Sequence, residues 1–279
     1  MKSNSDALQL ESILRGLGSP ERAAGEQNYL KSDLEFAGVT VPVMRSATAA
    51  WTRDCGGLDH DRLVALIRAL WEGPLFECRA VATILLERNT KLLGPADTGL
   101  LDFLLRHSAT WALVDPIATN VAGVLAEKHD LTATLDRWAA DPDFWIRRSA
   151  MLALLRPLRR LTPAARSPDG SPETELRRGE GDFERFARYA DTMLEEKEFF
   201  IRKAIGWVLR EVSKKRPELV ATWLAPRIHR ASGVTVREAV KYLPEADRDL
   251  LLAGYKARQP VVLANRKPVT FPVGSKTPG

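Results

Sequence analysis

A chain of 279 residues with 45% hydrophobic content can bury a sizeable core without disulfide or metal support, which excludes the small stapled scaffolds. Lys and Arg outnumber Asp and Glu by 41 to 36, and a sequence pI near 9.3 favours an anionic partner, although an excess of five charges is modest. The two cysteines, Cys55 and Cys78, make neither a disulfide framework nor a thiolate metal centre, and no apolar run reaches membrane-spanning length.

Apolar residues recur at helical spacing over 8–17, 63–70, 79–87, 100–105, 121–126, 131–139, 148–155, 183–194, 202–212 and 219–228. No stretch alternates as a strand does. Gly73-Pro74, Asp141-Pro142-Asp143, Arg216-Pro217 and Leu243-Pro244 punctuate these runs, so about a dozen short antiparallel helices are expected. Two near-copies, Phe144-Trp145-Ile146-Arg147-Arg148-Ser149-Ala150 and Phe199-Phe200-Ile201-Arg202-Lys203-Ala204-Ile205, each open such a run, with fainter echoes at 76–81 and 234–240. A recurring helical unit with its Arg in a similar place reads as an all-α, HEAT-like helical-repeat superhelix with a concave basic face. One repeat domain over 1–258 is expected. Residues 162–181, rich in Pro, Gly, Ser and charge, read as a mobile loop inserted in it, and the Pro-rich stretch 259–279 as a disordered tail. Residues 1–6 lack the apolar core of a secretion signal, so a cytoplasmic location is expected.

Trp111 and Asp115 are four residues apart, so on a continuous helix an aromatic plane and a carboxylate share one face. Alternatively Asp115 caps a new helix that has Pro116 at its first position, and Trp111 is core. Trp145 and Arg148 also share a face, whereas Arg147 points about 100° away from Arg148. One of these arginines can enter a groove, although an Arg beside an aromatic at a helix start is commonly a solvated decoration. Lys203 and Trp207 repeat the arrangement, with Arg210 a turn beyond; Trp207 also reads as core, with Gly206 permitting close helix packing. His60, His107, His129 and His229 are scattered without ligand spacing, so no metal site is expected. A phosphate-cradling Gly-rich loop and a Gly-x-Ser-x-Gly elbow are absent from the sequence.

Taken together these segments resemble the AlkD-type DNA alkylation repair glycosylases, a HEAT-like family, over residues 29–243. The resemblance is carried by Tyr29-Leu30-Lys31-Ser32-Asp33-Leu34-Glu35-Phe36-Ala37-Gly38-Val39 with Pro42. It is carried further by 197–211 with Lys214 and Pro217, and by Arg237-Glu238-Ala239 with Lys241-Tyr242-Leu243. It implies that Trp111, Asp115, Trp207 and the Arg148 of Trp145-Ile146-Arg147-Arg148 face the lesion. It also implies DNA contacts from Tyr29, Trp145, Arg147, Arg202, Lys203, Arg210, Lys214, Arg237 and Lys241. The chain departs from the family pattern in the 162–181 insertion and in Pro116, directly after the implied catalytic carboxylate.

The chemistry is intelligible on its own terms. A purine alkylated at N3 or N7 is cationic, so its glycosidic bond is weakened and the base leaves without prior protonation. What remains is to stabilise an oxocarbenium-like sugar and position water, which one desolvated carboxylate can do. The expectation is therefore a glycosylase of base excision repair acting on 7-methylguanine and 3-methyladenine in duplex DNA, as a monomer and without metal or organic cofactor. The resemblance adds excision without base flipping. Two other readings are a noncatalytic binder of distorted or branched DNA and a HEAT-type scaffold for protein partners.

Overall fold

The computed structural model describes residues 2–161 and 174–263. The protein is an all-α helical-repeat structure; among the described residues the only β pairing is an isolated parallel bridge between Glu35 and Leu75. No described helix is long and apolar enough to cross a membrane. Contacts group the chain into two compact units, Met1–Leu131 and Thr132–Gly279.

The first unit contains α1 (Lys2–Leu17), α2 (Pro20–Leu30), α3 (Val41–Asp54), α4 (His60–Glu72), α5 (Phe76–Arg88), α6 (Thr98–Arg106), α7 (Trp111–Pro116) and α8 (Gly123–Lys128). Its centre is α5, buried almost all round from Phe76 to Leu86, which is what a helix apolar on every face requires. Helices α1, α3, α4 and α7 pack against it. The one acid in that buried stretch, Glu77, is fully shielded and accepts the backbone amides of Ala37, Gly38 and Val39 at 3.0, 2.7 and 3.1 Å. Three amide donors offset the cost of burying this carboxylate and fix the link between α2 and α3. Gly38 is required there, because its φ is +80° and a Cβ would lie 2.2 Å from the Ser19 carbonyl oxygen.

The second unit contains α9 (Thr132–Ala139), α10 (Phe144–Ala153), α11 (Leu155–Arg159), α12 (Thr174–Met193), α13 (Phe199–Ser213), α14 (Pro217–Leu224), α15 (Gly233–Ala239) and α16 (Glu245–Ala257). Here α13 is central and packs against α10, α11, α14 and α15.

Two boundary expectations change. Of the anticipated loop 162–181, residues 162–173 lie outside the described residues, but 174–181 are the first turns of α12. The Glu175-Leu176-Arg177-Arg178 run favours helix, and extension from an already packed helix outweighs Gly179 and Gly181. Of the anticipated tail, 264–279 lie outside the described residues, whereas its start is tied to the fold. Arg258 ends α16 in the left-handed region, the Gln259 amide bonds Gly254, and the Val261 amide bonds Ala225 at 2.9 Å.

Candidate nucleic-acid interface

The first unit presents an aromatic and carboxylate pair on a continuous helical run. Thr110, not Asp115, is the N-cap of α7: its side chain accepts the Ala112 amide. Helix α7 passes through Pro116 into a π-helical segment, Ile117–Ala122, and on into α8. Asp115 therefore lies inside the helix, one turn after Trp111 and on the same face, and the capping alternative is set aside. Pro116 cannot donate to the Ala112 carbonyl, and the wider π turns begin immediately after it. The Thr119 hydroxyl donates to the Asp115 carbonyl at 2.7 Å, a side-chain bond to the distorted ladder. Asn120 of the π segment donates to Glu87 of α5 at 2.7 Å, and Glu87 also pairs with Arg45 of α3 at 2.7 Å, which holds the segment in place.

Trp111 and Asp115 are both partly exposed. Tyr29, 73% exposed at the end of α2, meets the Trp111 ring edge-on with centroids 6.2 Å apart. Trp51, Trp71, Trp138, Trp145 and Trp223 are buried, so Trp111 and Trp207 are the two of seven tryptophans that keep an accessible face.

In the second unit the near-copies show what their aromatics and cations do. Aligning 144–150, 199–205 and 234–240 puts Arg147, Arg202 and Arg237 in one register, and Arg148, Lys203 and Glu238 in the next. Each copy reaches for its successor. Trp145 and Phe144 pack against Phe200 with centroids 4.8 and 6.4 Å apart, and Arg148 Nη1 donates to the Phe200 carbonyl at 2.6 Å with its guanidinium 5.9 Å from that ring. Lys203 Nζ donates to Glu238 at 2.8 Å. Thr235 Oγ1 donates to the Arg202 carbonyl at 3.0 Å.

The implied DNA-contacting residues thus divide. Arg147 sends Nε and Nη2 to Glu196 at 3.0 and 2.8 Å and Nη1 to the Asp141 and Pro142 carbonyls, an internal clamp. Arg202 Nε donates to the Glu196 carbonyl at 2.7 Å. Trp145 is buried and Arg148 is only 3% exposed. By contrast Lys203, Trp207 and Arg210 of α13 and its C-cap Lys214 stand at spacings of four, three and four, which makes one stripe. Lys214 is exposed and the other three are partly exposed, as are Arg147 and Arg202, so the division rests on the partners and not on exposure.

That stripe is linked to two acids. Glu238 accepts Lys203, Arg210 and Lys241, and Glu211 accepts Lys214 at 2.7 Å and Arg159 at 3.1 Å. Although burial opposes ionisation, the surrounding cations hold the Glu238 carboxyl down at about 2 and place Glu211 below the usual carboxylate range. Arg237 extends its guanidinium to 3.0 Å from the point where a Gly233 side chain would begin. Tyr242, 54% exposed, carries the Lys214 ammonium 5.3 Å from its ring centre. No contact is assigned to Arg159 or Tyr242 from the sequence, although Tyr242 stands in the Lys241-Tyr242-Leu243 segment that carries the resemblance. Burial pushes the Cys78 thiol up to about 12, so it stays protonated.

The sequence profile of the DNA alkylation repair enzyme family matches residues 10–243, and the chain belongs to that family. It is similar in fold to a solved structure described as a predicted DNA alkylation repair enzyme from Enterococcus faecalis. That similarity has a TM-score of 0.63 at 24% identity, covering 82% of this chain and 97% of the other. No protein of curated function matches the chain significantly.

Proposed function

We propose that the protein is a DNA glycosylase that hydrolyses the N-glycosidic bond of cationic N3- or N7-alkylpurines in duplex DNA. The observation that carries this reading is the placement of Asp115 inside a helix, on the face of a partly exposed Trp111 and next to a π distortion. A capping carboxylate points at backbone amides, whereas Asp115, on the flank of its helix, shares a face with the aromatic one turn before it. Irregular π turns also recur at functional sites.

The bond from C1′ to the purine nitrogen breaks with its electron pair moving onto the base, which neutralises the alkylated ring. The positive charge left on the sugar is stabilised by the Asp115 carboxylate and by the Trp111 face. Asp115 then orients a water for attack at C1′ and receives its proton as the new C–O bond forms. Tyr29 holds the Trp111 ring from its edge. No acid is needed, because the leaving group already carries the charge that protonation would supply.

The second unit contributes binding. Lys203, Arg210, Lys214, Lys241 and Arg237 contact phosphates, and Trp207 lies against the deoxyribose backbone. Arg148, carried over from the family pattern, reaches a phosphate by an edge of its guanidinium only, while Arg147, Arg202 and Trp145 support that surface from beneath. Excision without flipping the base follows the same reading, since these groups recognise charge and backbone rather than base edges.

The test is single-turnover incubation with otherwise identical duplexes carrying 7-methylguanine, 3-methyladenine, uracil, hypoxanthine or 8-oxoguanine, with chromatography of the released bases. Release of the two cationic purines and retention of the three neutral bases is expected. Uracil release at a comparable rate would overturn the mechanism.

A further inference from the structure

Glu238 and Glu211 are two acids set among five cations of the second unit. Their side chains are each 11% exposed, while those of the cations they hold, Lys203, Lys214, Lys241 and Arg159, are 39 to 49% exposed. The acids therefore lie beneath and the cations face outward. Arg210 joins the two groups, with Nη1 on Glu238 and Nε 3.8 Å from Glu211. Five cations around two carboxylates leave three net positive charges at fixed points.

The backbone is shaped for this arrangement. Gly206 sits on α13 between Lys203 and Arg210, and a Cβ there would fall 2.8 Å from the Glu238 Cβ and 3.0 Å from the Thr235 carbonyl oxygen. The missing side chain lets α15 approach closely enough to seat Glu238 under the stripe. In the repeat register Glu238 also occupies the position held by Arg148 and Lys203 in the preceding copies, so the ladder of cations ends on an acid.

A surface selected only for positive charge would gain nothing from desolvating two carboxylates beneath it. We propose that Glu238 and Glu211 are positioning residues of a DNA-backbone-binding surface: they touch no DNA themselves but hold Lys203, Arg210, Lys241, Lys214 and Arg159 in fixed positions for phosphate contact. The inference rests on the reading of this surface as a DNA contact. Its physical basis is that five unpaired long cations would repel one another and sample many rotamers, and binding would then have to order them.

The decisive measurement uses the full chain and a short undamaged duplex at fixed salt, with affinities from fluorescence anisotropy. Glu238→Gln keeps the shape and raises the net charge by one, so charge alone demands tighter binding. Positioning demands the opposite, a loss of roughly five- to tenfold. It also demands coupling: Lys203→Met should cost roughly tenfold in the wild type and about twofold in the Glu238→Gln background, because Lys203 is already unplaced there. Circular dichroism and thermal melting check that each variant is folded. If Glu238→Gln is unfolded at the assay temperature, Glu238→Asp keeps the charge and withdraws it by one methylene, and weaker binding is again expected.

Equal or tighter binding by Glu238→Gln, with Lys203→Met retaining its full cost, would overturn the proposal. Release of 7-methylguanine by the wild type is measured separately. Base release together with tighter binding by Glu238→Gln leaves the glycosylase and removes the positioning role. Weaker binding without base release leaves the positioning role and removes the glycosylase. A wild type with no salt-dependent DNA binding removes the surface and the inference with it.

Discussion

The helical run that carries Asp115 and the helix that carries Trp207 are built on opposite plans. Residues 111–128 pass from α-helix through Pro116 and a π-helical segment back to α-helix, with Asp115 the one charged side chain in the first turns. Helix α13 is regular for fifteen residues, and its exposed stripe is almost wholly cationic. A group that acts on a transition state needs an unusual placement and few competing charges. Groups that hold an anionic polymer need a regular spacing and many charges, which an undistorted helix supplies. Under the proposed function the irregular run carries the chemistry and the regular one the binding, and that division can be broken by experiment.

The largest expected effect is on Asp115. Asp115→Asn should lower single-turnover release of 7-methylguanine by roughly a hundredfold or more while changing duplex affinity less than about twofold. The same substitution keeps the side chain's shape and removes no cap, since Thr110 caps α7, and thermal melting checks that the variant is folded. Equal loss of binding and release would place Asp115 in the binding surface and erase the contrast.

Next in size is the contrast between tryptophans. Trp138 is 1% exposed, and Trp138→Ala should cost about 3 to 5 kcal/mol of folding stability through the cavity it leaves. Trp207→Ala should cost under about 1 kcal/mol of stability, yet weaken duplex binding by roughly tenfold. Urea unfolding and anisotropy on the two variants decide the matter. A large stability loss with unchanged binding in Trp207→Ala would return Trp207 to the core.

Much of this was legible before the structure. The 3.6-residue period locates α4, α5, α6, α9, α10, α13 and α14, because each buries one face or more against a neighbour. Helices α2, α3 and α16 escaped it, and α15, only seven residues long, shows only as the faint echo at 234–240. In α2 no residue is buried at all, so no apolar period exists to be read. The candidate site was legible as residue types and spacings. The sequence also showed the four-residue spacing of Trp111 and Asp115, but Asp-Pro mimics a cap, and only the Thr110 cap and the continuous run settle which it is. The roles of Arg147 and Arg202 were hidden for a different reason. Their partners, Glu196 and the carbonyls at 141, 142 and 196, are loop groups that no helical periodicity announces.

The smallest expected effect is a difference in the sign of pH dependence between the two units. In the first unit, His60 bonds Asp61 at 3.0 Å and Asp97 at 2.8 Å, and hydrogen bonds to these two acids raise its pKa above the ordinary 6.5. A raised pKa contributes stability that is fully present below the unfolded value and is lost as pH rises through the folded one. In the second unit the charged partners of Glu238 outweigh burial and depress its pKa from 4.5 to about 2, and Asp191 is depressed by Arg227 and Arg230 against the same opposition. Stability from these acids is present above the unfolded value and is lost as pH falls towards the folded one. Raising the pH from 6 to 8, a range of roughly two units about the histidine value, should therefore loosen the surroundings of His60 while leaving those of Glu238 unchanged. Lowering it from about 4.5 to about 2 should loosen those of Glu238. Peptide-resolved hydrogen exchange, corrected for the intrinsic pH dependence of exchange, reads both. His60→Gln should abolish the alkaline trend in peptides covering α4 and the Pro95–Asp97 turn, and Glu238→Gln should reduce the acid trend in those covering α13 and α15. An alkaline trend that survives His60→Gln would mean that the contrast between the units lies elsewhere than in these named pairs.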